Sequence, residues 1–299
     1  MTKQAPSNSE SVLASVAAGD SAFDDDDADV VDVTEAELLA LLDANENPLL
    51  TCRRLFLPGA GRHRLQVLSA ADADRLYRDG VVVIDGFVDG ATVASARHSA
   101  LSMRSDGVLA RPAIAKARSA GVADGDAGAL DEFRDNDARD DVIAWLHAGQ
   151  GGGGPLDAVL ARLECLRRDL SRLIALRGTV EYQLAVYAPG GRYEKHRDAL
   201  PIDDPEDDLQ RRVTAICYLN DDEWDVASDG GALRVFVPVV DDDDDPGRTP
   251  DGGAVVDNGS RCMDIEPRAG RLALFLSGAI DHAVLPAHRE RVAVTAWIR

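Results

Sequence analysis

The sequence predicts an α+β fold that is mainly β, with helices in its amino-terminal half and many short strands in its carboxy-terminal half. Between residues 156 and 177 the apolar residues recur at spacings of three and four, which indicates one buried helix face. From Val180 onward apolar and polar residues alternate instead, in short segments separated by Gly, Pro and Asp turns. Many short strands of this kind are typical of a sandwich, barrel or jelly roll.

Composition limits the classes of partner and compartment. The chain has 299 residues, 45% of them hydrophobic, which is enough for one sizeable core. A net charge of -21, from 32 basic and 53 acidic residues, argues against a nucleic acid or an anionic membrane as the main partner. The four cysteines are scattered without a CxxC pair, and no signal peptide or membrane span is evident, so we expect a cytoplasmic or nuclear protein.

The first 48 residues are predicted to be a disordered acidic leader that contains one short helix. Their composition is rich in Ser, Ala and Asp without apolar periodicity. Thr34 and Glu37 form a capping box in front of a leucine-rich stretch, which predicts the short helix. The aspartate run 241–245 is interpreted as a solvated loop.

Residues 49–178 are predicted to be a helical support region, within one globular domain that extends from about residue 55 to 299. The predicted elements are a helix capped by Ser69 and Asp72 that ends at Gly80, a strand over 81–84, a helix over about 91–103, a mobile loop over 105–137 and a helix over 156–177. Residues 179–299 are the predicted β-rich core, with strands over 180–186, 213–219, 232–236, 272–276 and 292–298.

Three residues of this core form a candidate metal site. His196 and Asp198 are two positions apart, so on an extended strand their side chains leave the same face. His282 follows the buried strand 272–276. Two imidazoles and one carboxylate, with further positions open, are the ligand set of non-haem Fe(II) sites that perform oxygen chemistry.

The last strand adds a candidate anion site. Arg291 opens this strand, and its side chain shares one face with Thr295 and Trp297. A guanidinium that points into an apolar barrel requires an anion, and a small dicarboxylate would provide one. An internal ion pair with one of the many acidic residues is the alternative explanation.

Five segments together resemble a known family. They are YAPGGRYEKHRD at 187–198, RVTAICYLN at 212–220, GGALRVF at 230–236, His282, and RVAVTAW at 291–297. This set resembles the Fe(II)- and 2-oxoglutarate-dependent oxygenases of the prolyl-4-hydroxylase type, closest to the oxygen-sensing prolyl hydroxylases and their bacterial relatives. The resemblance implies a double-stranded β-helix core, of the jelly-roll and cupin-like kind, supported by amino-terminal helices.

The resemblance also implies roles for individual residues. His196, Asp198 and His282 are expected to bind Fe(II), and Arg291 is expected to be essential for catalysis because it binds 2-oxoglutarate. Tyr218, Thr295 and Tyr187 are further candidates for the cosubstrate, and Tyr193 and Trp297 are candidates for the substrate side. O2 is the second cosubstrate, and ascorbate is an expected accessory cofactor.

The reaction implied by the resemblance is hydroxylation of a prolyl residue in a protein or peptide, with oxidative decarboxylation of 2-oxoglutarate to succinate and CO2. Two other functions stay open from the residues alone. The first is an oxygenase of the same scaffold that acts on a free amino acid or small molecule. The second is a non-catalytic jelly-roll module that binds a metal or ligand.

Overall fold

Two antiparallel β-sheets dominate this computed structural model, which describes residues 47–59, 64–112, 138–147, 154–240 and 260–299. The predicted leader up to Glu46, residues 113–137 of the predicted mobile loop and the aspartate run 241–245 lie outside the described residues. The predictions made for these segments therefore stay predictions.

The helices precede the sheets or cover them. They are α1 (Pro48–Arg53), α2 (Ala70–Asp79), α3 (Gly90–Ser105), α4 (Pro155–Leu170) and the short α5 (Val226–Asp229). The predicted capping box of α2 is confirmed, because the Ser69 side chain accepts a hydrogen bond from the backbone N–H of Asp72 and the Asp72 side chain accepts one from the backbone N–H of Ser69. Gly80 ends α2 with a positive φ of 70°.

The strands divide into a six-stranded and a four-stranded sheet. In chain order they are β1 (Val81–Ile84), β2 (Asp141–Leu146), β3 (Val180–Tyr187), β4 (Tyr193–His196), β5 (Val213–Tyr218), β6 (Leu233–Pro238), β7 (Ser260–Ile265), β8 (Leu272–Leu276), β9 (Asp281–Val284) and β10 (Arg291–Ile298). The major sheet has the order β1-β8-β5-β10-β3-β2, and the minor sheet has the order β4-β9-β6-β7.

The centre of the major sheet is buried on both faces. Every residue of β5, β8 and β10 is buried. One face of the major sheet is directed toward the minor sheet, and helices α2 and α3 contact strands β8 and β3 of the major sheet, respectively. Helix α3 also contacts α4. The predicted α+β, mainly β fold with a double-stranded β-helix core is confirmed.

Two boundaries differ from the sequence prediction. The helix predicted over 156–177 ends at Leu170, although Leu173 and Ile174 stay buried as the chain turns and Ile174 pairs with Phe56. The apolar spacing therefore continues past the helix because these residues face the same core. The region predicted as helical support also contributes β1 and β2 to the major sheet, so the sheet is not confined to residues 179–299.

Within the described residues, none of the helices combines the length and apolar character that a bilayer crossing requires.

Candidate active site

The three predicted metal ligands converge between the two sheets. One nitrogen or oxygen atom from each of His196, Asp198 and His282 lies within 4.8 Å of the others. His196 and His282 are directly opposed in the β4–β9 pair, which places their rings 4.2 Å apart between centroids. The Nε2 atoms of His196 and His282 each lie 3.7 Å from an oxygen of Asp198, Oδ1 and Oδ2 respectively.

Backbone carbonyls orient both imidazoles. Nδ1 of His196 is 2.8 Å from the carbonyl oxygen of Glu194, and Nδ1 of His282 is 3.4 Å from that of Ile280. A carbonyl only accepts, so Nδ1 carries the proton and Nε2 keeps its lone pair toward Asp198. This tautomer is the one that binds a metal through Nε2.

The protonation states also suit a divalent cation. Burial, reinforced by the neighbouring His282, lowers the pKa of His196 to about 4, so its ring is neutral at physiological pH. Burial raises the pKa of Asp198, but the two imidazoles and a hydrogen bond from Thr214 outweigh this effect and hold it below its ordinary value. Two imidazoles and one ionised carboxylate are a ligand set that fits Fe(II) in an open-sided site.

Asp198 is anchored to the major sheet by a hydroxyl group. Thr214 Oγ1 lies 2.7 Å from Asp198 Oδ2 and 2.8 Å from Ser277 Oγ. The indole N–H of Trp297 also faces this carboxylate and contributes to its lowered pKa. The indole nitrogen is nevertheless buried without a hydrogen-bond partner among the described residues.

Arg291 provides a buried positive charge on the same inner face. Its side chain is 2% exposed and lies between the rings of Tyr187 and Tyr218, with Cζ 5.2 and 5.1 Å from their centroids. Its Nε donates to the carbonyl oxygen of Gly231 at 2.9 Å. Among the described residues it makes no ion pair, and its Nη2 has no hydrogen-bond partner, so the alternative of an internal acidic partner finds no support there.

Two buried donors at this position lack an acceptor in the described part of the chain. They are Nη2 of Arg291 and the phenolic oxygen of Tyr218. Burial raises the pKa of Tyr218 to about 12, so its hydroxyl keeps the proton that it donates. Buried donors of this kind are costly unless an acceptor arrives. A carboxylate of 2-oxoglutarate fits both, because it supplies charge and two acceptor oxygens.

The backbone at Gly231 is adapted to Arg291. Gly231 has a φ of +70°, and a Cβ there would lie 3.2 Å from Arg291 Cδ and 3.2 Å from Trp224 Cζ2. We expect Gly231→Ala to destabilise the protein by about 1–3 kcal/mol and to weaken 2-oxoglutarate binding, because the added methyl group displaces the guanidinium. Thermal unfolding and a cosubstrate titration measure the two effects.

Gly86→Ala is the matched control for this prediction. Gly86 has a similar φ of +65°, but a Cβ there would have no neighbouring atom within 4 Å among the described residues. It shares the backbone strain without the crowding, so only Gly231→Ala should alter cosubstrate affinity. Equal cosubstrate affinity in both variants would remove Gly231 from the placement of Arg291.

The remaining predicted residues also lie on the inner face or beside the metal ligands. Tyr187 is buried and opposes Arg291 across the β3–β10 pair, and burial raises its pKa. Thr295 is on the Arg291 face of β10 and is 9% exposed. The ring of Tyr193 stacks on His196 at 3.8 Å between centroids. Trp297 lies at the far end of β10, where its ring is 5.9 Å from that of Trp145.

The segment from Arg139 to Leu146 resembles the family in sequence, but the sequence analysis assigned no site role to any of its residues. The guanidinium of Arg139 lies 4.4 Å from the Tyr193 ring and binds Asp141 through two hydrogen bonds of 2.7 and 2.6 Å. Burial lowers the pKa of Arg139, but the hydrogen bonds and charge of Asp141 outweigh burial and hold the pKa of Arg139 above its ordinary value. Arg139 lies two residues before Asp141, the first residue of β2, and this spacing of opposite charges was the available sequence signal.

Trp145 and Arg211 were also missed. The Trp145 side chain is 51% exposed, and the guanidinium of Arg211 lies over the Trp297 ring at 4.2 Å. Arg211 also pairs with Glu181 at 2.9 Å. The sequence carried no signal for either residue, because the exposure of Trp145 and the edge position of β2 are visible only in the structure.

Comparison with known proteins places this site in a family. The profile of the 2OG-Fe(II) oxygenase superfamily matches residues 182–299, which contain all nine predicted site residues. A hypoxia-inducible factor prolyl hydroxylase of Caenorhabditis elegans is 32% identical over 174 residues, which are 56% of this chain and 20% of the relative. The match therefore spans about one fifth of the length of that relative.

Solved structures agree with this assignment. A Pseudomonas putida prolyl-4-hydroxylase is 29% identical with a TM-score of 0.55, over 77% of this chain and 97% of that one. The Trichoplax adhaerens prolyl hydroxylase, solved with a peptide fragment of the hypoxia inducible factor oxygen degradation domain, is 22% identical with a TM-score of 0.54, over 76% and 86% of the two chains. The latter supports the fold alone.

Residues 182–299 form a 2OG-Fe(II) oxygenase domain. This domain is close to the hypoxia-inducible factor prolyl hydroxylases and to the bacterial prolyl-4-hydroxylases. The family uses Fe(II), 2-oxoglutarate and O2, in agreement with the cofactors inferred from the sequence.

Proposed function

We propose that this protein is an Fe(II)- and 2-oxoglutarate-dependent dioxygenase that hydroxylates a prolyl residue in a protein or peptide. One oxygen atom of O2 enters the substrate as hydroxyl, and the other enters succinate as 2-oxoglutarate loses CO2. The observation that carries this proposal is the convergence of His196, Asp198 and His282 on the inner face that also presents Arg291, whose buried Nη2 has no hydrogen-bond partner among the described residues. The similarity to prolyl hydroxylases supports the choice of substrate.

Each site residue has a proposed task. His196, Asp198 and His282 hold Fe(II), which when bound supplies the redox chemistry between O2, 2-oxoglutarate and the substrate. Arg291 and Tyr218 bind the far carboxylate of 2-oxoglutarate through the donors that lack partners. Thr295 and Tyr187 line the same cosubstrate position on neighbouring strands, and burial of these groups excludes water from it.

Aromatic side chains are proposed to receive the substrate. Tyr193 lies against His196, and Trp297 lies against Asp198 and extends toward the exposed Trp145. Flat apolar surfaces of this kind suit the pyrrolidine ring of proline, which has no N–H to satisfy within a peptide. Trp145 on the edge strand β2 gives an extended peptide access to this surface.

The test is mass spectrometry of proline-containing peptides and proteins after incubation with Fe(II), 2-oxoglutarate and O2. We expect an added oxygen on proline, with formation of one succinate for each hydroxyl group. Oxygen added to a free amino acid or small molecule instead would favour the alternative substrate class. Binding of Fe(II) without any conversion of 2-oxoglutarate to succinate would indicate a non-catalytic module.

Ascorbate dependence and a cytoplasmic or nuclear location stay predictions. Because ferrous iron oxidises in air, a mild reductant preserves the active metal, and omission of ascorbate should shorten the linear phase of succinate formation. Microscopy of the tagged full chain tests the location.

A further inference from the structure

We propose that Thr214, backed by Ser277, positions the Asp198 carboxylate for the metal. This inference rests on the proposed function, because it concerns how the chain prepares one of the proposed ligands. Thr214 is a positioning residue here, since it acts through Asp198 and not on the reacting atoms.

Asp198 requires an anchor outside its own backbone segment. It lies in a bend two residues beyond the end of β4, so no strand pairing fixes its orientation. His196 and His282 differ from it because both belong to paired strands. The carboxylate side chain is 6% exposed, and Thr214 Oγ1 at 2.7 Å is its hydroxyl contact in the described structure.

The number of protons on each group determines which group donates in the contacts of Asp198 with Thr214 and of Thr214 with Ser277. The oxygens of a metal-binding carboxylate only accept hydrogen bonds, so at the 2.7 Å contact Thr214 Oγ1 is the donor and Asp198 Oδ2 the acceptor. Thr214 has one hydroxyl proton, and it donates this proton to Asp198. At the 2.8 Å contact with Ser277, the serine is therefore the donor and Thr214 the acceptor.

The donors are held rigidly by the major sheet. Thr214 belongs to β5 and is fully buried, and its residue position opposes Phe275 of β8. Ser277 follows β8 directly, is fully buried, and donates its backbone N–H to the carbonyl of Arg212 at 3.0 Å. The arrangement ties a ligand from the minor-sheet side to the central strands of the major sheet.

The consequence is a carboxylate whose orientation toward both imidazoles is fixed. Thr214 occupies one lone pair of Oδ2, while Oδ1 lies 3.7 Å from Nε2 of His196 and Oδ2 lies 3.7 Å from Nε2 of His282. A hydrogen bond to a ligating carboxylate fixes its orientation, and loss of such a partner lowers metal affinity about 10- to 100-fold.

The test measures metal affinity without turnover. Mn(II), which does not react with O2 in this setting, is titrated into the full chain by calorimetry, and visible absorption of the Co(II)-loaded protein reports the ligand geometry. We expect Thr214→Val to weaken Mn(II) binding by about 10- to 100-fold and to change the Co(II) bands, while Thr214→Ser restores both. Ser277→Ala should have a smaller effect in the same direction.

A double variant distinguishes a chain of contacts from two independent ones. Because Ser277 acts only through Thr214, Thr214→Val combined with Ser277→Ala should bind Mn(II) as Thr214→Val does. Thr51→Val is the matched control, since Thr51 is a buried threonine of α1 that shares no hydrogen bond with a proposed metal ligand in the described part of the chain. It should leave metal affinity unchanged.

The outcomes separate this inference from the proposed function. If the parent protein binds neither Mn(II) nor Fe(II), the metal centre itself is wrong. If the parent binds Mn(II) and Thr214→Val binds it equally well, the positioning role is wrong and the metal centre stands. Should Thr214→Val fail to fold, Thr214→Ala removes the same hydroxyl without placing a methyl group against the carboxylate, and its Mn(II) affinity decides.

Discussion

Replacing Asp198 with Ala should abolish Fe(II) binding at concentrations where the parent protein is saturated. The variant loses the single negative charge of the proposed ligand set and keeps only the two imidazoles as ligands. Loss of a partner that merely orients a ligand costs about 10- to 100-fold in affinity, so loss of the ligand itself should cost more than about 100-fold. Anaerobic titration with Fe(II) measures the effect directly, and succinate formation should disappear with it.

Asp281→Ala is the control for this experiment. Asp281 precedes His282 on β9, but its carboxylate pairs with Arg197 at 2.7 Å and Lys195 at 3.6 Å and takes no part in the ligand cluster. Asp281→Ala changes the net charge by the same amount as Asp198→Ala, and it should leave iron affinity near that of the parent. Equal iron affinity in Asp198→Ala and the parent would exclude Asp198 as a ligand.

Much of the fold was predictable because burial imposes a regular pattern along each element. In the central strands, the alternation after Val180 and the apolar run 272–276 both follow from sheet faces that contact the core. The capping box at Ser69 and Asp72 was predictable for a local reason, since both partners lie within one helical turn.

The candidate site was predictable in part where its residues are close together in the sequence. Arg291 shares a strand face with Thr295 and Trp297, as expected. His196 and Asp198 are two residues apart, but Asp198 lies in a bend past the end of β4 and not on the extended strand that the sequence analysis assumed. The approach of His282 was inferred from its position after a buried strand together with the family resemblance. The structure adds the reason, which is the direct β4–β9 pairing of the two histidines.

Contacts between distant segments could not be predicted in this way. Thr214 and Ser277 are 63 positions apart and meet only because β5 pairs with β8. The end of α4 at Leu170 could not be predicted from the sequence either, because Leu173 and Ile174 keep the helical spacing after the backbone has turned. Apolar spacing reports which residues face the core, but it does not report the backbone hydrogen bonds that define where a helix ends.

The electrostatics of the inner face explain why the proposed site needs both of its small partners. The metal ligands bring one negative charge, and Arg291 brings one buried positive charge without an acidic partner among the described residues. A divalent cation and a dicarboxylate together add no net charge. The cation would bind the lone pairs of the three proposed ligands. The dicarboxylate would accept hydrogen bonds from the buried donors that lack a partner among the described residues.

Arg291→Ala should raise the 2-oxoglutarate concentration required for half-maximal succinate formation by about 30-fold or more, because loss of one partner of a buried charge pair costs about 2 kcal/mol or more. The same change should reduce the preference for 2-oxoglutarate over 2-oxobutyrate, a 2-oxo acid without the second carboxylate. Arg291→Lys should give an intermediate value, since it keeps the charge but loses the planar fork and the Nε donor that binds Gly231.

Arg234→Ala provides the arginine control, because Arg234 is a half-exposed residue of the minor sheet that pairs with Asp264 at 2.7 Å. It should leave the cosubstrate requirement unchanged. The ratio of activities with the two oxo acids is the decisive quantity, since a general loss of stability lowers both activities and leaves their ratio intact. A variant of Arg291 that keeps the full preference for 2-oxoglutarate would show that another group binds the far carboxylate, and Tyr218, whose buried hydroxyl lacks a partner among the described residues, would be the next residue to replace.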